Sequence, residues 1–219
     1  MLGPTDKLPL GGVLVGGQSR RFGSDKAAAP VGDRSMAARS VDVLRAVSDP
    51  VVLLGGDGTL ARRLGLPWRA DERPGRGPLA GIATGLGWAS ELGRDGLVVL
   101  ACDLPLLTRE AMETLVAAAR PGLDAVVAEA SATEGVQPLC AWYSLSALPA
   151  IEAALEDGRH SVRAVLGGLR VERVRLGLEP RDAGDDTGGG TGPDTVLLNV
   201  NTPGDLEMAL RRVASEREP

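Results

Sequence analysis

Residues Gly11 to Ala27 read GGVLVGGQSRRFGSDKA. An apolar run breaks at Gly16 and Gly17, and Arg20, Arg21 and Lys26 follow within one loop. A glycine turn lets backbone N–H groups close on an anion with no Cβ in the way. Arginine offers a planar fork for phosphate oxygens, and lysine a mobile point charge. The chemistry such a loop suits is the gripping of a small polyanion. Of the 24 basic residues only Lys7 and Lys26 are lysine, so a chain that uses arginine almost everywhere places a compact ammonium at the end of this loop. No Gly-Lys-Ser/Thr follows, which excludes a Walker A loop. The competing reading is a strand–turn–helix junction with solvated charges.

Three other places carry candidate chemistry. Asp103 follows the apolar run LVVLA and Cys102. A carboxylate at the exit of a buried central strand is placed to hold a hard metal ion beside phosphates, or simply to cap a turn. Asp71 opens the segment DERPGRGP, where it can accept hydrogen bonds from a ribose or a base, or stand as a solvated loop acid. Asn199 and Asn201 sit just before Thr202, where two amides either read a polar ligand or satisfy a turn. The segment Gly55-Gly56-Asp57-Gly58-Thr59 matches a weak dinucleotide fingerprint. It is set aside because the next helix is short and ended by Gly65 and Pro67, and the expected acid comes too soon, at Asp71. Cys102 reads as a small core residue rather than a nucleophile.

The elements that must position these residues follow from composition and periodicity. With 219 residues and 43% apolar content, the chain can bury a real core, built mainly from Val, Leu and Ala because aromatics are only 2%. A net charge of −5 argues against a nucleic-acid surface, which needs a basic face. Two cysteines without C-x-x-C spacing, and one histidine, His160, argue against a disulfide framework, a zinc site and Ser-His-Asp catalysis. The metal that remains is a hard ion such as magnesium. No apolar run approaches the roughly 18–20 residues of a membrane span, and no signal-peptide pattern opens the chain. The expectation is a cytoplasmic protein without membrane or nucleic-acid partners.

Short apolar runs predict strands at Leu10–Val15, Val51–Leu54, Pro67–Ala70, Leu97–Ala101, Ala125–Ala128, Val171–Leu176 and Val196–Leu198. Val136–Trp142 reads as an edge strand, because Pro138 fits poorly inside a sheet. Helices are expected over Ser35–Val47, Pro78–Leu92, after Thr108 as an N-cap, from about Ser146, and after Thr202 with a proline at N1, a carboxylate at N3 and a stripe of Leu206, Ala209, Leu210 and Val213. Alternating strands and helices imply an α/β fold, a three-layer Rossmann-like arrangement around a mostly parallel sheet. Ligands of such sheets sit beyond the carboxyl ends of the strands. The segments after Val15, Leu54, Ala70 and Ala101 should therefore face one another. A single domain spanning 1–219 is expected, with residues 177–194 as a flexible inserted loop.

The order of motifs resembles the molybdenum cofactor guanylyltransferases, within the nucleotidyltransferase superfamily. The opening pattern L-A-G-G-x-S-x-R-M-G-x-D-K-A stands here as Leu14 to Ala27, G-P-L-A-G-I as Gly77 to Ile82, C-D-x-P as Cys102 to Pro105, and N-x-N-T-P-x-D-L as Asn199 to Leu206. The resemblance implies transfer of GMP from GTP to a phosphorylated pterin cofactor, with Mg2+ bound and with molybdoenzymes or cofactor-biosynthesis proteins as partners. It implies that Leu14, Val15, Gly16 and Gly17 line the nucleotide, that Arg21 and Lys26 hold its phosphates, and that Asp71 touches the nucleoside. By the same resemblance Asp103 binds magnesium, and Asn199 and Asn201 face the pterin. The chain departs from the pattern with Val15 for Ala, Phe22 for Met, Gly55-Gly56-Asp57 in place of an asparagine, and Gln137-Pro138 where His-Pro is frequent. A CTP-dependent or sugar-phosphate transferase and a non-catalytic nucleotide-binding protein stand as the alternatives.

Overall fold

A computed structural model describes residues 7–15, 26–131, 135–176 and 196–215. Seven strands make one sheet. They are β1 (Leu10–Leu14), β4 (Val51–Leu54), β5 (Trp68–Arg69), β6 (Gly96–Ala101), β7 (Ala125–Ser131), β8 (Gly135–Ser144) and β9 (Val171–Arg175), in the order β5-β4-β1-β6-β8-β7-β9. A separate two-residue hairpin pairs β2 (Pro30–Val31) with β3 (Arg34–Ser35). Within the seven-stranded sheet, pairing is parallel except where β8 runs against β6 and β7. Strand β1 lies between β4 and β6, in register from Gly11↔Val51 and Leu10↔Leu97.

Strand residues alternate between two covered faces. Val13, Leu53, Val98 and Leu100 face α1 (Met36–Leu44) and α4 (Arg109–Ala117). Leu10, Leu14, Val52, Leu54, Leu97 and Val99 face α3 (Pro78–Glu91), α5 (Leu148–Glu156) and α6 (Val162–Leu166). A short α2 (Thr59–Leu64) joins β4 to β5. Thr108 does cap α4, accepting from the Ala111 amide at 3.2 Å. The last described helix, α7 (Pro203–Ser215), buries Ala209 and Val213 against Ala29, Val31 and Met36. Leu210 is 36% exposed, so it lies off the stripe expected of it. No helix among the described residues is long and apolar enough to cross a membrane.

Two sequence expectations are corrected here. The strand carrying Pro138 lies inside the sheet, not at its edge. Pairing with β6 stops at Leu100↔Cys140, and the register with β7 jumps from Val127↔Ala141 to Ala128↔Gln137. Pro138 therefore falls in a bulge, where its missing N–H removes no ladder bond. Its carbonyl accepts the buried Tyr143 hydroxyl at 2.7 Å. Val196–Leu198 joins no strand pair. Val196 and Leu197 are buried against the core instead, and the Val200 amide is tied to the Asp103 carbonyl at 2.9 Å. An apolar run this short has no periodicity to separate a strand from a buried irregular segment. Residues 177–194, expected as a loop, lie outside the described residues.

One ion pair clips three strands together. Asp124, buried at the start of β7, accepts from the Arg170 side chain at 2.8 and 2.9 Å, the Arg170 amide at 2.9 Å and the Ser146 hydroxyl at 2.6 Å. Arg170 above all, and then Ser146, hold this carboxyl well below the usual range against the cost of burial. A depressed native pKa stabilises the fold fully above the unfolded-state pKa of about 3.9, and the contribution is lost as pH falls toward the native value. Asp124→Asn should cost about 2 kcal/mol at neutral pH, since the largely exposed Arg170 can rehydrate. Urea unfolding of both proteins across pH should show that difference shrinking below about pH 4.

Candidate functional site

The parallel strands β1, β4, β5 and β6 end on the same side of the sheet, so Val15 and the segments that follow β4, β5 and β6 lie at one end of it, where ligands of such sheets bind. Lys26 opens a 3-10 turn, Lys26–Ala28, at the start of the described chain beyond β1. Asp103 follows β6 by two residues, and Asn201 stands just ahead of α7. The Lys26 ammonium donates to the Asn201 amide oxygen at 2.9 Å and lies 3.4 Å from an Asp103 carboxylate oxygen. The Lys26 side chain is 12% exposed and that of Asp103 26%. Three segments remote in sequence thus meet around one ammonium.

Asp71 and Leu14 meet elsewhere along the crevice, over Gly81 in the first turns of α3. A Cβ on Gly81 would lie 2.6 Å from a Leu14 methyl and 3.4 Å from an Asp71 carboxylate oxygen. Only a bare backbone lets both side chains lie this close to the helix. Asp71 is half-buried, and loss of water raises its pKa. The loop is held from behind, where the Glu72 amide donates to the buried Thr84 hydroxyl at 3.2 Å. Thr84 carries no motif signal in the sequence. Further along the loop, Arg76 meets His160 at 2.8 Å, which is where the single histidine is engaged.

Val15 continues the β1 pairing, its amide donating to the Leu54 carbonyl at 3.0 Å. It lines a recess of ≈ 40 Å³ with Gly55, Gly56, Asp57, Gly58 and Trp68, among others. The GGDG turn has a local structural explanation. Asp57 accepts from the Thr59 amide at 2.9 Å, which starts α2 and lowers the Asp57 pKa. Gly58, at φ 77°, lies under the Trp68 indole.

Asn199 is not drawn into the cluster around Lys26. Its side-chain nitrogen is 3.5 Å from the Leu197 carbonyl, a long contact within its own turn. Gly16, Gly17 and Arg21 lie outside the described residues. Cys140 is fully buried, and burial pushes its thiol up to about 12, so no thiolate nucleophile forms there near neutral pH.

Among the described residues no group of three or more His, Cys, Asp or Glu side chains could hold a metal ion. Around Lys26 the described residues offer the Asp103 carboxylate and the Asn201 amide oxygen, both hard donors. That set fits an ion which takes one or two protein oxygens and completes its shell with phosphates and water, as magnesium does. It does not fit a metal caged by protein alone.

The MobA-like NTP transferase domain model matches residues 11–174. A molybdenum cofactor guanylyltransferase of Desulfosudis oleivorans is 35% identical over 94% of this chain and 96% of its own. The solved structure of a molybdopterin-guanine dinucleotide biosynthesis protein A from Archaeoglobus fulgidus superimposes with a TM-score of 0.71 at 24% identity, covering 94% of this chain and 99% of that one. A Mycobacterium tuberculosis protein, solved in complex with manganese, superimposes at 0.59 with 20% identity over 94% and 99% of the two chains. By its matched domain and by a relative aligned along nearly the whole of both chains, this protein belongs to the molybdenum cofactor guanylyltransferase family, a class of nucleotidyltransferases.

Proposed function

We propose that this protein transfers GMP from GTP to the phosphate of molybdopterin and releases pyrophosphate. The observation that carries this reading is the meeting of Lys26, Asp103 and Asn201 at the carboxyl end of the central strands. An acceptor phosphate oxygen attacks the α-phosphorus, the bond to the β-phosphate bridging oxygen breaks, and pyrophosphate leaves with that oxygen. Both reactants are anions, so the work of the protein is alignment and charge neutralisation.

Lys26, with Arg21 and the Gly16 and Gly17 amides, holds the phosphates. Its ammonium now rests on Asp103 and Asn201, and its flexible stem lets it exchange the more distant Asp103 oxygen for a phosphate oxygen while Asn201 still holds it. Asp103 holds Mg2+. When bound, the ion supplies positive charge at the α-phosphate. Leu14 and Val15 line the nucleoside, and Asp71 accepts hydrogen bonds from it. Asp71 has no partner for its carboxylate among the described residues, and its raised pKa shows what that desolvation costs. Asn201, and Asn199 beside it, face the pterin.

Gly81→Ala tests the nucleoside side. A methyl there displaces Leu14 or Asp71, and overpacking of this kind costs about 1–3 kcal/mol. Binding of Mg·GTP, read by calorimetry, should weaken about tenfold. Thermal-shift comparison of GTP, CTP, ATP and UTP with magnesium, followed by pyrophosphate release on adding molybdopterin, tests the reading as a whole. Stabilisation by GTP together with acceptor-dependent release supports it. A response to CTP alone assigns the base differently, and nucleotide binding without release removes the catalytic claim.

A further inference from the structure

The contacts around Lys26 continue into the last described helix. Thr202 caps α7, its hydroxyl accepting from the Asp205 amide at 3.2 Å, while Asp205 reaches back to the Thr202 amide at 2.8 Å. That reciprocal pair is a capping box and by itself explains a carboxylate at this position. Asp205 goes one residue further. The same carboxylate oxygen also accepts from the Asn201 amide at 2.8 Å. Asn201 in turn holds the Lys26 ammonium at 2.9 Å. The helix that carries Asp205 packs Ala209 and Val213 against Ala29, Val31 and Met36, in the segment that follows Lys26. One helix therefore braces the backbone on both sides of the ammonium.

We propose that Asp205 is a positioning residue for nucleotidyl transfer. By fixing the Asn201 backbone, it aims the Asn201 amide oxygen and so sets where the Lys26 ammonium meets the triphosphate. The role rests on the guanylyl-transfer reading above. A side chain that only capped α7 would support the fold and leave nucleotide affinity alone.

The test is a double-mutant cycle in the full chain, with Mg·GTP affinity read by calorimetry and folding by thermal melts. Asp205→Ala is made alone and in an Asn201→Ala background. The backbone amide that Asp205 grips survives in that background, so loss of the cap lowers Tm in both. The steering amide does not survive, so the effect on affinity should be confined to one. Asp205→Ala should weaken Mg·GTP binding about five- to tenfold beside Asn201 and less than about twofold beside Asn201→Ala. Equal factors in the two backgrounds, or no loss in either, overturn the positioning role. Where Asp205→Ala does not fold, Asp205→Asn enters the same cycle, keeping an acceptor oxygen without the charge. A folded wild type that binds no Mg·GTP overturns the guanylyl-transfer reading itself. A wild type that binds, with no coupling in the cycle, overturns only the role of Asp205.

Discussion

Asp103→Ala should reduce guanylyl transfer by about two to three orders of magnitude while the protein still folds. The carboxylate stands two residues beyond the buried strand β6, on a backbone tied to Val200, so its position is set by the sheet and not by its own contacts. On the proposed reading, removing it takes away a hard anionic donor for a divalent ion beside the phosphates. It also strips Lys26 of one of the two oxygen partners it has among the described residues. Neither loss touches the core, because the Asp103 side chain is partly exposed. The melting temperature should stay close to wild type. Asp103→Asn keeps the shape but not the charge, and should recover little. Single-turnover transfer with saturating Mg·GTP and acceptor reads the effect. Near wild-type turnover in a folded Asp103→Ala protein removes the metal role.

Lys26→Met should cost about two orders of magnitude in kcat/KM, since on the proposed reading it deletes the cation that meets developing phosphate charge. Lys26→Arg is the more informative companion. The ammonium sits between two oxygens at 2.9 and 3.4 Å with little exposure, a place for a compact charge. A planar fork on a stem of similar length does not fit the same gap. Arginine should therefore restore less than about tenfold of the loss, although the charge is conserved. Full rescue by arginine would show that the loop needs charge alone. Steady-state pyrophosphate release with the three proteins settles the comparison.

Much of this arrangement was legible in the residues. The apolar runs of β1, β4 and β6 are four to six residues long and uninterrupted by charge, which is how strands buried on both faces read. Their parallel order follows from the helices between them. It is also what places the segments after β1 and β6 together. The capping signals at Thr108 and Thr202 were local and reliable. The misses have the opposite character. The hairpin Pro30–Val31 with Arg34–Ser35 and the five-residue α6 are too short for periodicity to register. Pro138 argued for an edge because proline lacks an N–H, and nothing local announced the register shift that removes the need for one. Within the crevice, residue types identified Lys26, Asp71, Asp103 and Asn201 as candidates, but not how they are linked. The hold of Thr84 on the Glu72 amide beside Asp71 and the reach of Asp205 to Asn201 depend on backbone geometry that no spacing rule encodes.

The claim beneath all of this is that one triphosphate is gripped between the ammonium from the front of the chain and the carboxylate from its middle. A crystal structure with GTP and magnesium bears on it most directly. It should show the Lys26 nitrogen moved from Asp103 to a phosphate oxygen, and Asp103 as a ligand of the metal ion. A fully occupied nucleotide whose phosphates touch neither side chain, with Lys26 and Asp103 still paired to each other, would contradict it.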